Sequence, residues 1–203
     1  MNTNKQVKAF ILIIIIIIVA GIISLVLYQS KKYSGTFFEY SGFAVHKVTD
    51  GSINEFRITF FREDESKPFT INSRYDPRTL EEIKIQSNIR EDIVKENLFI
   101  TMDPNLSSKA VIAFAEINKY TENPFLFNLP TYPALTTKVE NNDLPVISCL
   151  EVNQTTAVIL FKKGNKNEIY TENGCIILEY IIEEDLIKLA DRLTLTALGI
   201  MKP

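Results

Sequence analysis

The sequence predicts an α+β protein: an amino-terminal transmembrane helix followed by one globular domain of antiparallel hairpins and packed helices. Three observations carry that reading. Residues Ala9 to Tyr28 form 20 uncharged positions, nine of them isoleucine. Two regions, from Thr36 to Asn72 and from Val146 to Glu179, are rich in β-branched and aromatic residues broken by turn signals, the pattern of short strands. Between and after them lie runs that open on capping residues and repeat apolar side chains at helical spacing.

The apolar stretch comes first. At about 1.5 Å of rise per residue, a helix of this length spans ~30 Å, the hydrocarbon thickness of a bilayer. Its 14 Ile, Leu and Val residues each favour insertion by roughly 0.3–0.6 kcal/mol, which gives ~4–8 kcal/mol in total. The β-branched run does not argue against a helix, because lipid leaves the backbone no other way to pair its amides. Tyr28 sits where an interfacial aromatic belongs, and Lys31 with Lys32 forms a polar stop. A cleaved signal peptide is the rival reading, since Lys5 and Lys8 precede the apolar core. Signal cores, however, run only about 7–15 residues and end at a small-x-small site. The basic residues on the two sides nearly balance, so orientation rests on the short tail, residues 1–8. It favours an amino terminus inside and, past a linker at 29–35, an extracytoplasmic domain over 36–203.

Composition bounds the domain. A chain of this size buries roughly two thirds of its unfolded surface in one core. All 25 acidic residues and 18 of the 22 basic ones follow Lys32, a net charge of −7. That excludes nucleic acid and an anionic surface as obvious partners, because both require a basic face. Cys149 and Cys175 are the only cysteines. In an exported domain they read as one disulfide, worth on the order of 3 kcal/mol for a loop of this size. In a reducing compartment they would be two buried thiols. A metal site is the weakest option, since there is no CxxC pair and the single histidine, His46, is remote.

Strands are expected at Thr36–Tyr40, Gly42–Val48 and Ile53–Phe61, with a turn at Asp50-Gly51-Ser52, and another at Phe69–Asn72 after Lys67-Pro68. Asp76-Pro77 and Asp103-Pro104, 27 residues apart, each read as a helix start: Asp caps free amides and Pro surrenders an N–H that has no partner there. Two copies of a common cap do not make a duplication. The first helix runs from Pro77 to about Glu82, a second lies in Asn88–Glu96, and a third, from Pro104 or Ser107 to Tyr120, is expected to be largely buried. Glu122–Asp143, with three prolines and four asparagines, reads as a long loop. Val146–Val152, Thr155–Lys162, Glu168–Thr171 and Cys175–Glu179 read as strands, with a turn at Gly164-Asn165. The last helix starts near Glu183-Glu184-Asp185, whose acids suit its positive end as a solvated cap. Leu186, Leu189, Ala190, Leu193 and Ala197 form its apolar stripe, and Gly199 marks its stop.

No catalytic, cofactor-binding or metal-ligating residue is assigned, and no cofactor is expected. His46 titrates nearest neutrality but has no nucleophile pattern beside it. Ser148-Cys149 lacks the flanking glycines of a nucleophile elbow. Seven glycines in all never approach a phosphate-binding loop. Asn105-Leu106-Ser107 and Asn153-Gln154-Thr155 are glycosylation sequons, so Asn105 and Asn153 are candidate modification sites on an exported surface.

The segments Asp103-Pro104-Asn105-Leu106-Ser107-Ser108-Lys109, Pro145-Val146-Ile147-Ser148-Cys149, Asn173-Gly174-Cys175-Ile176, the run from Asp185 to Arg192 and Leu198-Gly199-Ile200 together resemble a group of uncharacterised archaeal single-span membrane-anchored proteins. The resemblance covers most of the chain and implies no activity and no site residues. The function expected is that of an anchored extracytoplasmic interaction or structural domain, not an enzyme. Its partners are the lipid bilayer through residues 9–28 and other envelope proteins. Two alternatives stand beside it. A pilin-like assembly subunit shares the basic tail, Ile-rich first helix and late cysteine pair, but the processing-site Gly or Ala followed by Glu is missing and Tyr33-Ser34-Gly35 ends the helix early. An anchored hydrolase would use dispersed carboxylates.

Overall fold

The computed structural model describes residues 17–19, 21, 24, 37–50, 53–61, 68–87 and 89–203. The expected membrane span at 9–28 lies outside these residues except for Ile17–Val19, Gly21 and Ser24, which are helical. Tail and linker lie outside them as well. Among the described residues no helix is long and apolar enough to cross a membrane.

The remainder is α+β, with two sheets and helices packed between them. Strands β1 (Phe37–Tyr40), β2 (Phe43–Asp50), β3 (Ile53–Phe61) and β4 (Pro68–Ser73) form an antiparallel meander in that order. The β2–β3 hairpin pairs down to Asp50 opposite Ile53; Gly51 and Ser52 of the expected turn lie outside the described residues. Alternation then decides the faces. Phe38, Val45, Ile58 and Ile71 stand opposite one another across the four strands and enter the core, whereas Phe37, His46, Arg57 and Asn72 occupy the other side in register.

The second sheet is built from β5 (Lys84–Ile85), β6 (Asn97–Met102), β7 (Thr131–Leu135), β8 (Thr156–Lys163), β9 (Glu168–Glu172) and β10 (Cys175–Tyr180), in the order β5-β9-β10-β8-β6-β7. It corrects the expectation of hairpins throughout. Only β9 and β10 pair as one, while β10, β8, β6 and β7 run parallel. Parallel neighbours need a crossover, and between β6 and β7 it is the helix Ser108–Thr121. Every residue of β10 is buried, as expected of a strand covered on both faces.

The helices are α1 (Pro77–Leu80), α2 (Ile89–Ile93), α3 (Ser108–Thr121) and α4 (Asp185–Ala197), of which α1 and α3 follow a side-chain cap and α4 has none. Asp76 accepts from the Arg78 amide at 3.0 Å, and Pro77 opens α1. Asp103-Pro104 behaves otherwise. Asp103 accepts from the Asn105 amide in a turn, and α3 begins four residues later with Ser107 as its cap. The predicted 88–96 helix shortens to five residues. Helix α3 is half-buried rather than enclosed: Ala110, Ala113, Ile117 and Tyr120 face inward, but Val111 is exposed. The enclosed helix is α4, buried on all sides except at Lys188 and Thr196. It packs on α3 and β10 and hydrogen-bonds to the end of β4 through Asp191, so it lies between the two sheets. Gly199, at φ +76°, ends it as expected.

Two other expectations fail for local reasons. Thr131–Leu135 forms strand β7 inside the predicted loop: it is an edge strand, and an edge tolerates the missing N–H of Pro133. Val146–Val152 is not a strand. Ser148 and Glu151 satisfy each other's backbone in a reciprocal cap around the 3-10 turn Cys149–Glu151, and one bridge, Leu135 to Val146, is the segment's sheet contact.

One glycine is required by close approach. A Cβ on Gly164 would lie 2.2 Å from Oε1 of Glu179, and Glu179 is buried, accepting from the Asn165 amide and the Tyr170 hydroxyl at 3.2 Å each. Gly164→Ala is therefore expected to displace that carboxylate and destabilise the domain by about 1–3 kcal/mol, read from urea unfolding. An unchanged midpoint would show that Glu179 can move at no cost.

Candidate functional site

The densest polar cluster inside the protein forms where the end of β4 meets α3 and α4. Asp191 projects from the centre of α4, 1% exposed. Its Oδ2 accepts from the Ser73 hydroxyl at 2.9 Å, the Arg74 amide at 2.8 Å and the Tyr75 amide at 2.9 Å. Its Oδ1 is enclosed and has no partner. The chain leaves β4 at these residues, so amides that would otherwise be orphaned at a strand end are satisfied by one carboxylate. Burial pushes the Asp191 carboxyl up to about 7, aided by the charge of Glu116 and opposed by the donors at Oδ2.

Glu116, from α3, is buried beside it. It accepts from Arg74 Nε at 2.5 Å and pairs with Lys119. Lys119 Nζ also donates to the Asn72 carbonyl at 2.9 Å, and the Tyr120 hydroxyl donates to the same oxygen. Burial, together with Asp191 and Glu116, holds the Tyr120 phenol above its usual range. The hydrogen bond that Arg74 donates to Glu116 likewise raises the Arg74 value. Two acids, two bases and a phenol therefore clamp the meander to the helices. The cluster can store a proton, but clefts of about 250 to 440 Å³ on the described surface are lined by other residues. This geometry fits a structural clamp rather than a substrate-accessible centre.

The residues singled out in the sequence are scattered. Cys149 and Cys175 form a disulfide with their Cα atoms 5.3 Å apart. It fastens the 3-10 turn to β10 above a small apolar cluster of Val158, Cys175 and Ile177. His46 is exposed on the outer face of the meander, 4.8 Å from the Phe37 ring, with no nucleophile beside it. Asn105 and Asn153 are both exposed, in turns rather than in a helix. Of the acids at the start of α4, Asp185 is buried rather than solvated, receiving Asn167 Nδ2 and Lys188 Nζ at 2.9 Å each. Burial opposes its ionisation, yet these donors hold it below its usual range. Glu183 accepts from the Ser107 amide at 2.8 Å, which joins the starts of α3 and α4. Among the described residues no three His, Cys, Asp or Glu side chains converge on a metal position.

No family model, curated protein or solved structure matches the chain. Asp191 and Glu116 escape sequence reasoning because each looks like a helical surface acid. The apolar stripe gives no signal for Asp191, since Ala190 and Leu193, one and two positions away, do not share its face of the helix.

Proposed function

We propose that this protein is a single-pass, membrane-anchored extracytoplasmic domain that acts by interaction or as a structural element. Residues 9–28 would hold it in the bilayer, with 36–203 exported toward envelope partners. The observation that carries the reading is the Cys149–Cys175 disulfide, because such cross-links persist in oxidising compartments and are rare in the cytosol. It joins the 20-residue uncharged stretch that precedes the domain. Interaction rather than turnover is favoured by the face that bears the disulfide. There Tyr132, beside Phe99 at 5.5 Å between ring centroids, and Val146 and Leu150 all leave apolar surface exposed.

Labelling of intact cells tests this. A membrane-impermeant maleimide is expected to label neither cysteine until a reductant is added outside, and then to label Cys149. Labelling that appears only after lysis and without reductant would place free thiols inside and overturn the reading.

A further inference from the structure

Arg192 lies one residue beyond Asp191 on α4 but faces the opposite end of the sandwich. It is 4% exposed, and an arginine so enclosed normally meets a carboxylate. Among the described residues Arg192 has no ion-pair partner. Its Nε donates to the Ile83 carbonyl at 3.1 Å and its Nη1 to the Thr196 hydroxyl at 3.2 Å, both neutral acceptors. Of the five N–H donors of a guanidinium, three remain uncommitted. Nη2 is not among the enclosed atoms that lack a partner, so the free end of the group reaches solvent. Burial holds its pKa below the usual arginine range, with weak opposition from Tyr40 and Glu81. The charge is thus desolvated, with no carboxylate at ion-pair distance among the described residues.

Two clefts meet at this side chain. One, of about 440 Å³, is lined by Glu81, Ile83, Lys84, Glu168 and Arg192 among others. The other, of about 250 Å³, is lined by Tyr40, Ser41, Glu81, Arg192 and Lys202 with Pro203. Glu81, Arg192 and Pro203 line both, so the clefts adjoin.

We propose that Arg192 and these adjoining clefts form a binding site for a small monocarboxylate. The planar guanidinium fork matches a carboxylate in two parallel hydrogen bonds. Binding supplies the direct ion pair that no described residue makes with Arg192. Lys84 and Lys202 add cationic charge at the rim, while Glu81 and Glu168 oppose a second negative charge. The site therefore selects a monoanion over a dianionic phosphate.

The test follows the arginine side-chain NMR signals of the purified full-length chain in detergent as acetate, and separately inorganic phosphate, is added at constant ionic strength. Acetate is expected to shift the Arg192 Nε–H signal saturably, with a Kd on the order of millimolar for so small a ligand. The amides of Tyr40, Ser41, Glu81 and Lys84 are expected to follow it. Arg192→Lys keeps the charge and loses the fork, and is expected to weaken acetate by roughly tenfold. Lys202→Ala, at an exposed position, is expected to weaken it roughly twofold without affecting the fold, so the proposal stays testable if the Arg192 variant does not fold. Absence of a saturable shift at Arg192, saturation centred on other residues, or equal binding of phosphate would overturn the proposal.

Discussion

Asp191→Ala is expected to be among the most damaging single substitutions in the domain, lowering stability by about 3–5 kcal/mol when unfolding is measured at pH 5. It would leave three donors, the Ser73 hydroxyl and the amides of Arg74 and Tyr75, without their shared acceptor. The Ser73 hydrogen bond is buried and the two amide bonds are part-buried. The same carboxyl gives stability a pH dependence of unusual sign. Its folded pKa of about 7 lies above the ordinary aspartate value of 3.8, so the folded state binds a proton that the unfolded chain releases. The contribution is fully present below the unfolded value and is lost as pH rises through about 7. A difference of about three units corresponds to ~4 kcal/mol between those limits.

Charges from every side shape that titration. Glu116 from α3 raises the Asp191 value, while Lys119 lowers it. Arg74 is held by Glu116, Tyr120 stands neutral beside them, and Lys188, on the same helix, pairs with Asp185. Asp76, held low by the hydrogen bond from Arg78, and Glu151, held low by Ser148, act oppositely, since their contributions are lost as pH falls through the acid range. Stability is therefore expected to peak near pH 5 and to decline toward pH 8. Asp191→Asn keeps an acceptor oxygen and cannot ionise, so its stability should be nearly level over that interval. Urea unfolding of both proteins at pH 5, 6, 7 and 8 measures this. A wild-type curve that is level or rising above pH 5 would show that the carboxyl is already ionised at pH 5, and a decline that survives in Asp191→Asn would show that another group carries it.

Much of the meander was legible in the sequence because its physics is local. Phe38, Val45, Ile58 and Ile71 alternate with polar neighbours at the strand period, and one buried face fixes their register. The same holds for Asp76-Pro77 at α1 and Gly199 after α4, where capping chemistry is decided within a turn of the chain. The second sheet was less legible. A buried strand such as Cys175–Tyr180 carries no alternation, and its parallel partner β8 lies beyond β9 in the chain, so adjacent sequence does not disclose that pairing. Thr131–Leu135 was masked by Pro133, which counts against a strand until its edge position is known. Least legible was the clamp. Ser73 and Asp191 meet across 118 positions of sequence, and nothing near Asp191 distinguishes a core carboxylate from a solvated one.

Removing the cross-link should act on one layer of the protein more than on the rest. The disulfide spans 26 residues, and a loop of that size constrains the unfolded chain by about 3 kcal/mol. Cys149→Ser combined with Cys175→Ala is expected to lower global stability by about that amount, the alanine avoiding a buried hydroxyl in β10. A second, local effect follows from how the segment is held. Between β7 and β8 the chain is tied to the sheet by the Leu135 amide to the Pro145 carbonyl at 2.9 Å, the Ile147 amide to the Leu135 carbonyl at 3.1 Å, and the Asn153 amide to the Thr156 carbonyl at 3.1 Å. The Thr136 amide to the Met102 carbonyl and the Glu96 and Asn97 amides to the Thr155 carbonyl, each at 3.0 Å, hold its two ends, while the Ser148–Glu151 cap and the cross-link hold its middle. Without the cross-link, the Ile147 and Asn153 amides are expected to exchange with solvent far faster than those of β10, and Val158 and Ile177 beneath them to become accessible to an apolar dye. Uniform loss of protection across β8 and β10 would instead mean that the segment and sheet unfold as one unit. Such a result would make the disulfide a determinant of the whole core and not of the face that it covers.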